Sequence, residues 1–323
     1  MILVTGSNGL LGSFVCHELV SRGYQVKALV RKDSNTDLLK TILDRIEVHH
    51  GEINDVGSLV DAMVGVQYII HTAALISFWP KMKGLMYQTN VEGTRNLVDV
   101  AIESNIKKFI HISSIAAIGR KPLDTVISEK NTWEDSSHNS NYAVTKHQSE
   151  LEVSRAVEEG LNAVILNPSI ILGPGMQGSS SVQLFDYIQQ ENKFYTDGYL
   201  NYVDVRDVVK TILFFMDNEF KSGERYILNA GITTYKDFFM KIAKSINRKA
   251  PQIRARAWIR ELVWRVYSIA SFFTKKEPLI TKETARVASH KIEYQSDKIK
   301  NTSSIQFRSL DDTIEWTGKK LFS

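Results

Sequence analysis

The 323-residue chain is 43% hydrophobic and 24% charged, the composition of a globular protein with a real core, and its length suggests about two domains of ordinary size. A net charge of +4, with Lys and Arg spread along the chain, argues against a nucleic-acid binder. The single cysteine, Cys16, rules out an intrachain disulfide framework and fits a reducing compartment; with no signal sequence ahead of the first strand and no apolar run of about 18 residues, a cytoplasmic protein is expected.

In chain order, "ILVTG" (2–6) predicts a strand, and residues 10–22 carry helical apolar spacing that stops at Gly23. "YQVKALV" (24–30) is a second strand, 38–43 a short helix and "IEVHHG" (46–51) a third strand. A helix over 57–65 ends at Gly65. "QYIIHTAA" (67–74) is a nearly continuous apolar run, as expected of a strand buried on both faces. A long helix over 88–104 follows, then strands "KKFIHISS" (107–114) and "NAVILNPS" (162–169), separated by a helix over 143–159. This alternation predicts an α/β fold, a doubly wound parallel sheet of Rossmann type with right-handed crossovers. Beyond residue 170 the pattern loosens. "ILGPGMQGSSS" (171–181) is a loop, "NYVDVRDVVKTILFFM" (201–216) a strand running into a helix, and the remainder mainly helical. The expected division is a dinucleotide-binding unit over 1–170, rejoined by 200–222, and a smaller, mainly helical substrate-binding unit from 171–199 and 223–323. The stretch "WIRELVWRVYSIASFFTKK" (258–276) mixes basic and aromatic residues, and two readings stay open: a helix covering the substrate pocket, or one lying on a membrane surface.

Gly6, Gly9 and Gly12 follow the first strand and open the first helix, the setting in which a glycine pattern cradles a pyrophosphate. Glycine permits a tight turn and close approach, and the helix amino end offers free N–H groups with partial positive charge. This G-x-x-G-x-x-G spacing resembles the extended short-chain dehydrogenase/reductase superfamily, and further motifs recur in that family's order: "HTAA" (71–74), "NVEGTRNL" (90–97), "ISS" (112–114), "YAVTK" (142–146), "NPSIILGPG" (167–175) and "YVDVRDVV" (202–209). The resemblance covers roughly residues 1–230. It implies a nicotinamide dinucleotide held by Gly6, Ser7, Asn8, Gly9, Leu10, Leu11, Gly12, Arg31, Lys32, Glu52, Ile53, Thr72, Ala73, Ala74, Asn90, Pro168, Ser169 and Ile170, together with Tyr142 and Lys146. It also implies a homodimer.

Tyr142 and Lys146 lie four residues apart on one helix and so share a face. A lysine ammonium beside a phenol stabilises the phenolate. By resemblance Tyr142 is the general acid that protonates a carbonyl oxygen as hydride arrives, and the base in reverse; Lys146 holds the nicotinamide ribose; Ser114 orients the same oxygen, with Ser113 as the alternate. Ser114 is preferred because the family's Ser or Thr stands five residues before the glycine at 119. His71 and His111 fall on buried strands and suit no metal motif, and no metal is expected.

The second strand ends "VRKDS". NAD-selective sites place a carboxylate at that point for the ribose hydroxyls. Here Arg31 comes first, a residue able to pair with a 2′-phosphate, with Lys32 beside it. NADP(H) is therefore preferred and NAD(H) stays open, since a strand two residues longer would bring Asp33 to the ribose. Glu52 stands where the family commonly has an Asp touching adenine. Ile170 and Asn167 stand where relatives that act on nucleotide sugars carry an Asn and an Arg, Leu200 replaces a further Arg of theirs, and Ile115-Ala116 replaces the dehydratases' Asp-Glu pair. The remaining resemblance is to the dihydroflavonol reductase-like and 3β-hydroxysteroid dehydrogenase-like branch. It implies reversible reduction of a ketone or aldehyde in a small, largely apolar substrate. Phe78, Trp79, Ser114, His138 and Asn139 are candidate substrate contacts, with a core role for Phe78 and Trp79 equally open. The alternatives are an epimerase or dehydratase on a sugar-like substrate and a non-catalytic dinucleotide sensor.

Overall fold

A computed structural model describes residues 1–121, 124–136, 139–178, 181–255 and 291–322. Seven parallel strands form the central sheet: β1 (Ile2–Thr5), β2 (Val26–Val30), β3 (Glu47–His50), β4 (Tyr68–His71), β5 (Lys108–Ile112), β7 (Ala163–Pro168) and β11 (Arg225–Leu228), in the order β11-β7-β5-β4-β1-β2-β3. β6 (Val126–Ile127) lies outside it, paired with a late strand. The helices are α1 (Leu10–Ser21), α2 (Val56–Ala62), α3 (Lys83–Tyr87), α4 (Gly93–Glu103), α5 (Asn141–Glu158), α6 (Val182–Gln189), α7 (Val205–Asp217), α8 (Tyr235–Ser245), α9 (Asp297–Thr302) and α10 (Leu310–Phe322). Alternate strand residues face opposite layers. Ile2, Val4, Ile70 and Ile110 pack with Val15 and Leu19 of α1 and Val208 and Ile212 of α7. Leu3, Ile69 and Phe109 pack with Leu59 of α2, Leu97 of α4 and Val153 of α5. Apolar side chains on both faces are what a parallel sheet covered on both sides requires.

Three elements differ from the sequence expectation. The short helix near 38–43 is a 3-10 helix, Asp37–Arg45. The long helix from 88 begins earlier, at α3, and is broken by a π-helical turn over Gln88–Glu92 before α4; such bulges re-aim side chains and often mark functional sites. Arg225–Leu228, assigned on sequence to the substrate-binding unit, pairs with β7 and forms the sheet edge. Its apolar run Tyr226, Ile227 and Leu228 is buried among sheet and helix side chains. α7 packs on α1 in the first hydrophobic layer.

The smaller part combines helices with a second sheet. β8 (Ile170–Leu172), β10 (Tyr199–Asp204) and β12 (Gly231–Thr234) lie side by side, and Leu172, Leu200 and Tyr202 pack with Phe185 of α6, Phe238 of α8 and Ile314 of α10. Arg206, at the start of α7, bonds Asp204 and lies 3.9 Å over the Trp316 ring, which fastens α10 beside α7. Among the described residues no helix is long and apolar enough to cross a membrane.

Candidate functional site

The strand order reverses between β1 and β4, and ligands of open parallel sheets bind beyond the carboxyl ends of the strands at such a switch point. Both strands end there in the expected motifs. Gly6 follows Thr5 with φ +64, and a Cβ on it would stand 2.7 Å from the backbone of Ala73. A Cβ on Gly12 would overlap the Gly6 carbonyl oxygen and reach 2.8 Å from Ser7 Cα. Only glycine allows this contact between the loop and the end of β4. Gly9 caps α1 with no side-chain hydrogen bond, leaving the amides of Leu10, Leu11 and Gly12 at an uncapped helix mouth. A loop closed on itself against an uncapped helix fits a pyrophosphate. Ser7 is used differently: its buried hydroxyl donates to the Leu29 carbonyl, which ties the loop to β2. Asn8 Nδ2 donates to the Asn35 carbonyl and so joins the loop to the turn after β2.

β2 ends at Val30. Arg31 and Lys32 are exposed directly beyond it, with no ion-pair partner among the described residues, and Asp33 sits further out in the turn, where Ser34 N donates to the Arg31 carbonyl. The strand extension that would have carried Asp33 inward is absent. Glu52 is exposed and Ile53 half-buried against Gly93.

At the end of β4, Thr72 Oγ1 donates to the Thr5 carbonyl and Ala73 N to Thr5 Oγ1, with Ala74 exposed beside them. His71 beneath them is fully buried between Thr5 Oγ1 (2.7 Å) and Thr94 Oγ1 (3.0 Å). The Thr94 hydroxyl already donates to the Asn90 carbonyl, so His71 Nε2–H donates to Thr94 and Nδ1 accepts from Thr5. Burial, then the Lys146 charge, lowers His71 to about 3, so it is neutral and structural.

Asn90 lies in the π-helical turn. Its Oδ1 accepts from Leu75 N, and its Nδ2 donates to the Leu75 carbonyl and Thr145 Oγ1. Both amide hydrogens serve the protein, so Asn90 clamps the segment at Leu75 to α5. That segment carries Phe78, whose ring meets Tyr142 edge-on at 6.3 Å, whereas Trp79 lies under Lys81.

Ser140 caps α5 by accepting from Ala143 N, which sets Tyr142 in the first turn. The Tyr142 hydroxyl bonds the Ser114 side chain; Ser113 instead donates to Glu150. Lys146 is fully buried, with Nζ donating to the Ile112 carbonyl at 2.9 Å. The expected lowering of the phenol by Lys146 does not hold here. Desolvation pushes Tyr142 up to about 12 against the opposing Ser114 bond, and burial brings Lys146 itself down to about 8. Pro168 ends β7, Ser169 follows it bonded to the Leu228 carbonyl, and Ile170 opens β8. Asn139 Nδ2 donates to the Glu134 carbonyl within its own loop. His138 and the 258–276 stretch lie outside the described residues.

Sequence reasoning missed three polar residues packed behind this cluster. Glu150, Asn167 and Arg225 are drawn together from α5, β7 and β11. The available signal was Glu150, an acid four residues beyond Lys146 on the same helix face.

The profile of the NAD-dependent epimerase/dehydratase family matches residues 2–231. The chain belongs to that family. It is an NAD(P)-dependent enzyme of the extended short-chain dehydrogenase/reductase type. It is similar to a putative dihydroflavonol 4-reductase of Synechocystis, at 28% identity over 97% of this chain and 93% of that one. Cinnamoyl-CoA reductase 2 of Arabidopsis thaliana is 30% identical over 71% of this chain and 72% of its own. The NAD+-bound enzyme WbmH of Bordetella bronchiseptica superposes with a TM-score of 0.79 at 18% identity, covering 99% of this chain and 97% of that one, which is a likeness of fold.

Proposed function

We propose that the enzyme reduces the carbonyl of a small, largely apolar ketone or aldehyde to an alcohol, with NADPH preferred. One observation carries the reading. The Tyr142 hydroxyl bonds the Ser114 side chain and its ring meets Phe78 edge-on at 6.3 Å, so a phenol that is protonated at neutral pH and a second hydroxyl converge beside an apolar wall, as a shared carbonyl oxygen would need. The dinucleotide, when bound, supplies the hydride. Ser114 hydrogen-bonds the carbonyl oxygen and Tyr142 donates the proton to it as negative charge develops. Lys146, a buried cation one turn behind, holds the ribose. Phe78 walls the substrate position. The similarity to a putative dihydroflavonol 4-reductase and to a cinnamoyl-CoA reductase, and Ile115-Ala116 in place of an acidic pair after Ser114, support reduction over dehydration. Arg31, at the end of β2 and free of ion pairs, supports NADPH.

The test is NADPH consumption against a panel of aromatic and aliphatic carbonyl compounds. The expected result is turnover that Tyr142→Phe lowers by about 100-fold or more, the scale of general acid catalysis. Isomerisation of a nucleotide sugar without net consumption of NADPH would overturn the proposal. Tight dinucleotide binding with no turnover on any compound would instead favour a sensor.

A further inference from the structure

Behind Lys146 lies a charged group that the reaction above does not use. Glu150 stands four residues on along α5, on the same face, and is 4% exposed. Its Oε1 accepts from Ser113 Oγ and from Asn167 Nδ2, each at 2.5 Å. Its Oε2 is 3.7 Å from Arg225 Nη1. Arg225 is itself fixed, donating to the carbonyls of Glu129 and Asn131 at 2.7 Å. Beyond Glu150 and Arg225 opens a cleft of about 860 Å³, whose lining also includes His147 and Lys298 but neither Tyr142 nor Ser114.

Burial raises the Glu150 carboxyl above the ordinary glutamate range, and the bonds from Ser113 and Asn167, then the Arg225 and Lys146 charges, act against it; the hydrogen-bond geometry fits the ionised acid. Oε1 is occupied by two donors, so a carboxyl proton would have to sit on Oε2, facing the Arg225 guanidinium. The surroundings of Lys146 need such a charge. Among the described residues its ammonium donates to a neutral carbonyl, at Ile112. The other titratable groups facing the pair are Tyr142 and His147 on α5, His71 on β4, His111 on β5 and Arg225 on β11. Burial keeps Tyr142 protonated and His71 and His111 unprotonated. His147, stacked on Trp133, is lowered by burial and then by Arg225. Among the described residues, Glu150 is the acid whose charge acts on Lys146, against the desolvation that brings the lysine down to about 8.

We propose that Glu150 is a positioning residue that keeps the buried Lys146 charged, with Ser113, Asn167 and Arg225 holding Glu150 ionised for that task. The consequence for turnover rests on the proposed reductase role; the electrostatic assignment does not. The sign follows directly. Lys146 is charged below its pKa, so removing the carboxylate lowers the pH at which the charge is lost.

The experiment is an NMR titration of isotope-labelled lysine side chains, with Lys146→Met assigning the signal. The wild-type midpoint is expected near 8. In Glu150→Gln it is expected about one pH unit lower or more, a tenfold change in acid dissociation constant, and Glu150→Asp restores most of the difference. An unchanged midpoint in a folded Glu150→Gln protein overturns the proposal. Where that variant does not fold, carboxyl-labelled wild type decides: Glu150 must be ionised at neutral pH, and a protonated acid overturns the assignment. In parallel, the alkaline limb of the kcat/KM profile for reduction should move toward acid in Glu150→Gln. If the lysine midpoint moves but no carbonyl compound is turned over by wild type, the reductase reading fails and the charge assignment stands.

Discussion

The three loop glycines are used for different things, so replacing each by alanine should give three different outcomes. Gly6→Ala places a side chain at φ +64 and 2.7 Å from the Ala73 backbone. The left-handed conformation costs about 1–2 kcal/mol and forced packing about 1–3 kcal/mol, together about 2–5 kcal/mol of stability. Gly12→Ala lies inside α1, where alanine gains about 1 kcal/mol over glycine. Its methyl overlaps the Gly6 carbonyl, at the upper end of about 3 kcal/mol for overpacking, leaving a net loss of about 2 kcal/mol. Gly9 is different again. Its backbone is extended (φ −83), and the nearest atom to an added Cβ is the Gly6 oxygen at 3.3 Å. Losing a glycine at the helix cap costs about 1 kcal/mol or less, yet the methyl stands at the helix mouth proposed to take the pyrophosphate. Thermal or urea unfolding alongside fluorescence titration with NADPH separates the two effects. Gly6→Ala should lose the most stability. Gly9→Ala should melt near wild type and bind about tenfold more weakly or worse, as a loss of about 1.4 kcal/mol at the phosphates implies. If Gly9→Ala is the least stable of the three, or binds dinucleotide as wild type does, the account of the loop is wrong.

Other substitutions probe the rest of the site. Arg31→Ala should cost about tenfold in NADPH affinity and leave NADH unchanged, the scale of one solvent-exposed charge-assisted phosphate contact; equal binding of the two dinucleotides by wild type, untouched by the mutation, refutes the cofactor assignment. Ser114→Ala should lower kcat for carbonyl reduction about 10–100-fold, since it removes an oxyanion partner; Ser113→Ala, which touches Glu150 and not Tyr142, should retain more activity, and a reversed order in steady-state rates would exchange their roles. His71 and His111 bear on acid stability. Both have folded pKa values below the ordinary histidine value, His71 at about 3, so the unfolded chain takes up the proton first as pH falls. Stability should be level with respect to these groups above about pH 6.5 and should fall by about 1.4 kcal/mol per pH unit for each histidine on acidification below it. Urea unfolding from pH 7 to 4 measures this, and His71→Gln, which keeps an amide donor toward Thr94, should reduce the slope.

Much of the frame was legible in the chain. Apolar runs marked β1, β2, β4, β5 and β7, because strands buried on both faces leave no polar alternation to confuse them. Gly6, Gly9 and Gly12 marked the turn from strand to helix, and Tyr142 and Lys146 shared a helix face by spacing alone. The break at Gln88–Glu92 was not legible. A π-helical turn keeps helical composition, and the contacts of Asn90 that accompany it reach Leu75 and Thr145, distant in sequence. Arg225–Leu228 was misplaced for a similar reason: a strand of this length carries no signal of which sheet it will join, and only its pairing with β7 decides.

Local chemistry was therefore written in the sequence: which residue types stand at the strand ends, that Arg31 precedes Asp33, and that a Ser, a Tyr and a Lys occur in the order a carbonyl reductase uses. Electrostatic state was decided by the tertiary structure. Tyr142, half-buried beside Ser114 and the Phe78 ring, holds its proton because the protein packed around it desolvates the phenol. Lys146 stands buried against a backbone carbonyl with Glu150 behind it, and Glu150 meets Asn167 and Arg225 only because β7 and β11 lie side by side under α5. Desolvation depends on everything that surrounds a group. Spacing along one helix carries only the part of it that is local.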